Sequence, residues 1–274
     1  MLDAERMIES QINEIAERRR QAVSRLRVFD ASLWLGRPQG FPLAEEMDVA
    51  ALNTAMADNF IGGGLVSHWR GKIASPQEGN AALLEAGLGE ANDSLGAIMT
   101  GLPLFPREGG PLPGVGDLPT CVRAVRVFPK THGFPLTDWV IGSLGKWMIE
   151  RRLPLFVWHT EVDWQGLYSF AKALPKLAIV VESQPRKIIY HLRPLLALLR
   201  DCPNTHVEIS NLTGPAFELV LQHIGAERPI FGSFLPVSDP LVPLGLILDA
   251  EMSEADRTLI AGGNLRRLIG GGAA

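Results

Sequence analysis

Short apolar runs separated by longer stretches of helical period organise this chain. Eight runs read as strands: Leu26–Asp30, Gly64–Ser67, Leu95–Thr100, Cys121–Phe128, Leu155–His159, Ala178–Glu182, His206–Ser210 and Pro229–Ser233. Between them, Ala44–Asp58, Pro76–Ala86, Thr137–Arg152, Gln165–Ala173, Ile188–Arg200 and Ala216–His223 repeat apolar residues at three- and four-residue intervals, the period of a helix with one buried face. Strands that alternate with helices pair in parallel, because each helix carries the chain back across the sheet before the next strand starts. Eight such units in about 250 residues predict a closed (β/α)8 TIM-like barrel. Gly225, just past Ile224, and Gly270, closing the last short helix, stand where helices stop.

Ahead of the first strand, residues 4 to 27 read as an extra helix, so the chain divides into an N-terminal helical extension (1–25) and a barrel domain (26–274). Ile8, Ile12, Ile15, Ala22, Val23 and Leu26 form its apolar stripe, and Arg18, Arg19, Arg20, Arg25 and Arg27 crowd its second half. Such a helix packs across the end of the domain or meets a protein partner or a second copy of the chain. Glu5, Glu9, Glu14 and Glu17 among the arginines argue against a transit peptide and against a surface that seeks anionic membranes.

With 274 residues, 46% of them hydrophobic and 20% charged, the chain can bury the core of one large domain. Its net charge of -4 leaves no broad basic field for nucleic acid. Cys121 and Cys202 are far apart and read as reduced thiols, and the longest apolar runs, such as Leu153–Trp158, are too short to cross a bilayer. A cytoplasmic protein without membrane contact is expected. Two Pro/Gly-rich stretches, Arg37–Leu43 and Leu102–Pro119, follow the first and third strands, and the second is a candidate lid. Its Gly114-Val115-Gly116 opens no helix and is no phosphate loop. Gly-x-Ser-x-Gly, His-Glu-x-x-His and Walker patterns do not occur in the sequence.

Several phrases, in order along the chain, resemble the amidohydrolase superfamily, in particular its small single-domain hydrolases and decarboxylases. They are Phe29-Asp30-Ala31 at the first strand, Val125–Pro129 and Thr131–Leu136 at the fourth, Leu153–His159 at the fifth, Pro229–Ser233 at the eighth and Ala261–Gly270 at the end. The resemblance implies metal ligands, which carry over position by position. The family's first strand ends Asp-x-His-x-His, and the two histidine positions hold Ser32 and Trp34. Its fifth-strand histidine matches His159. Its sixth-strand histidine falls at Ser183, or at Glu182 if the register slips by one, and its eighth-strand aspartate falls at Phe234. A catalytic zinc takes about three protein ligands, so no metal and no other cofactor is expected.

His159 ends its strand on the face of Leu155 and Val157, and Glu161 or Glu182 is a candidate to orient it or share its proton. Its plainer role is a hydrogen-bonded remnant. Arg126 with His132 is a candidate grip for an acidic ligand, against a barrel ion pair and a turn residue. His68, in a phrase resembling a common one of the family, is a candidate pocket residue, as are Ser32, Trp34, Ser183 and Phe234. His206, Glu208 and Ser210 share the face opposite Val207 and Ile209. Two functions are therefore carried. One is an amidohydrolase-related barrel that has lost metal-dependent hydrolysis and serves as a binding, scaffolding or regulatory protein. The other is a metal-independent hydrolase, lactonase or decarboxylase of a small acidic substrate, with His159 as acid and base.

Overall fold

The computed structural model describes residues 2–88, 94–102, 112 and 118–270. The greater part of the candidate lid Leu102–Pro119, with its Gly114-Val115-Gly116, and the side chains of Glu5, Ile8, Glu9 and Ile12 lie outside what it describes.

Helix α1 (Leu2–Arg25) leads into β1 (Val28–Leu35), α2 (Val49–Asp58), β2 (Ile61–His68), the single turn α3 (Arg70–Ile73) and α4 (Pro76–Glu85). Strands β3 (Leu95–Thr100) and β4 (Val122–Val127) follow, then α5 (Asp138–Arg151), β5 (Leu155–Trp158), α6 (Trp164–Ala173) and β6 (Ile179–Glu182). The chain continues through a 3-10 turn into α7 (Leu192–Asp201), β7 (Thr205–Glu208), α8 (Gly214–Ile224) and β8 (Pro229–Ile230), and ends in α9 (Leu241–Asp249), α10 (Glu254–Thr258), a π turn and α11 (Asn264–Ile269). Side-chain caps start several helices: Asp48 accepts from the Ala51 amide, Ser75 from Glu78 and Asp163 from Gly166.

The eight strands pair in parallel in sequence order. The Ala31 amide donates to the Phe231 carbonyl at 3.0 Å and Trp34 to Leu235 at 3.1 Å, which joins β1 to the last strand and its continuation. The expected (β/α)8 TIM-like barrel with an N-terminal helix is the observed fold. Val23 and Leu26 bury the end of the first helix against the domain. Among the described residues Cys202 is a buried free thiol, and no helix is long and apolar enough to cross a membrane.

Two cores follow from the alternation of barrel strands. One face of each strand joins the helices in a large outer core that includes Leu33, Val66, Met99, Val125, Leu155, Val157, Val181 and Val207. The other face points inward, where Ala31, Leu65, Ile98, Ala124, Phe156, Val180 and Ile230 fill the floor over Leu265.

Candidate functional site

Two residues further along the inward face, the lining turns polar. Ser67 follows Leu65, Arg126 follows Ala124, Glu182 follows Val180, and Glu208 stands on β7 beside Glu182. All are buried. The Arg126 guanidinium grips Glu182 by two bonds, Nε to Oε2 at 2.9 Å and Nη2 to Oε1 at 2.6 Å, and Nη1 donates to Ser67 Oγ. Ser32 hydrogen-bonds the same carboxylate. Burial pushes the Glu182 carboxyl up, while the charge and bonds of Arg126 pull it back down. Among the described residues no cation pairs with Glu208. It accepts from the Ser183 amide and hydroxyl on Oε2 and from the Ser210 amide on Oε1. Burial, reinforced by the neighbouring Glu182 charge, raises it to about 7 against the hydrogen bonds it accepts. Gly232 is small for this reason, since a Cβ there would run into the Glu208 carboxylate. Asp30 holds the Ser32 and Ser233 amides on Oδ1, leaves its buried Oδ2 unbonded and is raised by burial to about 6.

A third level closes the mouth. Trp34, Trp69, Phe128, Trp158 and Phe234 are each at most 2% exposed and stack with ring centroids 4.6–6.4 Å apart. Arg126 lies between levels, its Cζ 4.5 Å from the Trp34 ring above and 5.6 Å from Phe156 below. Phe234 reaches its place with a left-handed backbone, φ 63°, a conformation that bulky residues adopt only under strain. Over the rings, Lys72 Nζ lies 5.3 Å from both Phe128 and Trp158, bonded to Glu161 Oε1 at 3.1 Å and Thr131 Oγ1 at 2.6 Å. Burial would raise Glu161, but the Thr131 amide and hydroxyl and the Lys72 charge hold it below the usual carboxylate range. His132 donates from Nε2 to the Lys72 carbonyl at 3.2 Å and is half-buried.

The structure therefore gathers Ser32, Trp34, Arg126, Glu182, Ser183 and Phe234 at one place and leaves His159 out of it. Leu155 and Val157, which share its face, belong to the outer core, so His159 points toward the helices while Trp158 takes the inward position. The expected partnership with Glu161 or Glu182 is corrected accordingly. His159 Nε2 donates to the Arg186 carbonyl at 2.9 Å, which leaves Nδ1 to accept from His191 Nδ1 at 2.8 Å. Burial lowers its pKa to about 4. Arg126, expected to be available to an acidic ligand, is spent on Glu182. His68 Nδ1 accepts from the Arg70 amide at the edge of the mouth. Residues not singled out in the sequence include Trp69, Phe128, Trp158, Ser67, Lys72 and His191. The inward phase of Phe156 and Ala124 was the available signal, but both faces of a barrel strand are apolar and periodicity alone does not say which is inner.

A family model described as amidohydrolase matches residues 121–271, more than half of the chain. The chain belongs to the amidohydrolase family. Solved structures similar to this amidohydrolase-family protein include an uncharacterised TIM-barrel protein from Bordetella bronchiseptica, 16% identical with a TM-score of 0.69 over 89% of this chain and 98% of that one. An amidohydrolase from Burkholderia multivorans with bound zinc is 15% identical with a TM-score of 0.68, covering 89% and 99%. The 5-carboxyvanillate decarboxylase from Sphingomonas paucimobilis is 13% identical with a TM-score of 0.59, covering 89% and 99%. At these identities the likeness is one of fold. No curated protein matches the sequence of this amidohydrolase-family chain.

Proposed function

We propose that this amidohydrolase-family barrel is a non-hydrolytic protein that serves in binding, scaffolding or regulation. One observation carries the proposal: five aromatic rings, none more than 2% exposed, occupy the mouth where barrel enzymes take their substrates. The metal that the family resemblance implies does not fit the residues present. Ser32 and Trp34 stand at the two first-strand histidine positions and Phe234 at the aspartate position. Glu182 has both oxygens committed to Arg126, whose permanent charge would repel a cation. Among the described residues no three His, Cys, Asp or Glu side chains come together as ligands. The reading with His159 as acid and base draws no support, since both its ring nitrogens are engaged within the protein.

The test is elemental. Protein equilibrated with zinc and then dialysed is expected to retain well below one ion per chain, with an unchanged melting temperature. Stoichiometric zinc, manganese or iron retained through dialysis overturns the proposal.

A further inference from the structure

On the outer wall, away from the barrel mouth, α1, the turn from α2 into β2, and α9 enclose a groove of about 450 Å3. That volume lies within the range of small-molecule sites, about 300–1,000 Å3. Its walls are apolar: Ile15 and Val23 from α1, Phe60 from the turn, and Leu241, Leu244 and Leu248 from α9. Ile15, Phe60 and Leu241 remain 56%, 43% and 60% exposed, so three large apolar side chains face water around one concavity. Phe60 also holds a left-handed backbone, φ 57°, where glycine or asparagine sits without strain. Folding gains little from an aromatic ring that is strained and half in water, and such a position points to a use outside the fold. Two arginines stand on the α1 side. Arg19 is paired with Asp249 at 3.0 Å, whereas Arg20 makes no ion pair among the described residues.

We propose that this groove binds a single-chain anionic amphiphile, its acyl chain lying along Phe60 and the α9 leucines and its carboxylate meeting Arg20. Asp58, on the α2 wall, repels the head group from that side and so orients the ligand toward α1. An α-helix of a partner is about 10–12 Å across and stands proud of such a concavity, whereas an acyl chain lies within it. The site is independent of the state of the barrel mouth.

Dodecanoate, titrated calorimetrically into the whole protein below its micelle concentration, is expected to bind one to one with a Kd on the order of 10 μM. Arg20→Glu should weaken it by about tenfold or more. Phe60→Asn should weaken it similarly while keeping the wild-type melting temperature, since asparagine accepts the left-handed backbone. The proposal is overturned if dodecanoate does not bind, if both variants bind it as the wild type does, or if dodecyltrimethylammonium binds equally well. Dimers in sedimentation that Leu241→Asp dissociates would overturn it in favour of a second copy in the groove. Pelleting with phosphatidylglycerol vesicles in the absence of dodecanoate binding would overturn it in favour of a membrane surface.

Discussion

Replacing Arg126 by methionine removes the cation that pairs with Glu182 in the middle level of the barrel and leaves the rest of the wall in place. Glu182 then loses both of its charge-assisted bonds while remaining fully buried beside Glu208. Breaking one side of a buried pair costs about 3–5 kcal/mol, because the surviving charge is stranded in a medium that solvates it poorly. Loss of the guanidinium from the Trp34 face adds up to about 2 kcal/mol. A total of about 3–7 kcal/mol is a large share of the roughly 5–15 kcal/mol that holds a domain together. Without the guanidinium, burial acts on Glu182 against the Ser32 hydrogen bond alone, so the carboxyl takes up a proton more readily and the loss should be smaller near about pH 5 than near about pH 8. The double variant Arg126→Met with Glu182→Leu strands no charge and should recover most of the deficit. Urea unfolding of wild type, both single variants and the double variant at the two pH values measures every quantity. A single-variant cost below about 1 kcal/mol, or a double variant less stable than Arg126→Met, would refute the account of Arg126 as the counter-charge of the core.

Glu208, raised by burial to about 7 from 4.5, stays protonated in the fold over a range where the unfolded chain has ionised. Its contribution of about 3 kcal/mol is complete below about pH 4.5 and lost as pH rises through about 7, so Glu208→Gln should flatten the fall of stability between those values, as read by urea unfolding. His159 has the opposite sign: burial lowers it to about 4, so its contribution is complete above about pH 6.5 and lost as pH falls through about 4, and His159→Phe should lessen acid destabilisation in the same assay. Trp34→Ala should cost about 3–5 kcal/mol by opening a cavity in the aromatic level, and indole should restore part of the lost melting temperature by filling it. Lys72→Met removes a cation from Glu161 and should accelerate hydrogen exchange of the Thr131 amide by about tenfold, corresponding to about 1.4 kcal/mol of local stability.

Much of the barrel is legible before folding. Strand β3 has the predicted limits, Leu95–Thr100, and the helix predicted over Pro76–Ala86 runs from Pro76 to Glu85. Strand β1 reaches Leu35, five residues beyond the predicted end, because a register shift between Asp30 and Leu33 passes the inward phase from Ala31 to Ser32 and Trp34, which stay in the sheet. Helix α9 is harder to read, since Pro243 and Gly245 interrupt its pattern and Leu, Val and Ile on every side conceal the helical period. At the site, Ser32, Trp34 and Phe234 were visible as departures from a resemblance. Their convergence with Trp69, Phe128 and Trp158 was not, because those rings come from different strands and loops and only barrel closure brings them together. The orientation of His159 depends on a phase one residue away from that of Trp158, and two apolar faces give a reader no means to choose between them.

The buried guanidinium also bears on how readily such a barrel could be converted to hold a metal. A variant given imidazoles at positions 32 and 34 would set them against a fixed positive charge already seated on Glu182, and a divalent ion would enter only after that charge had been evicted. Evicting it first strands the carboxylate, and introducing the imidazoles first yields donors with nothing to hold. Each single step toward such a metal site is therefore a loss, and Arg126 acts as a latch on the present arrangement.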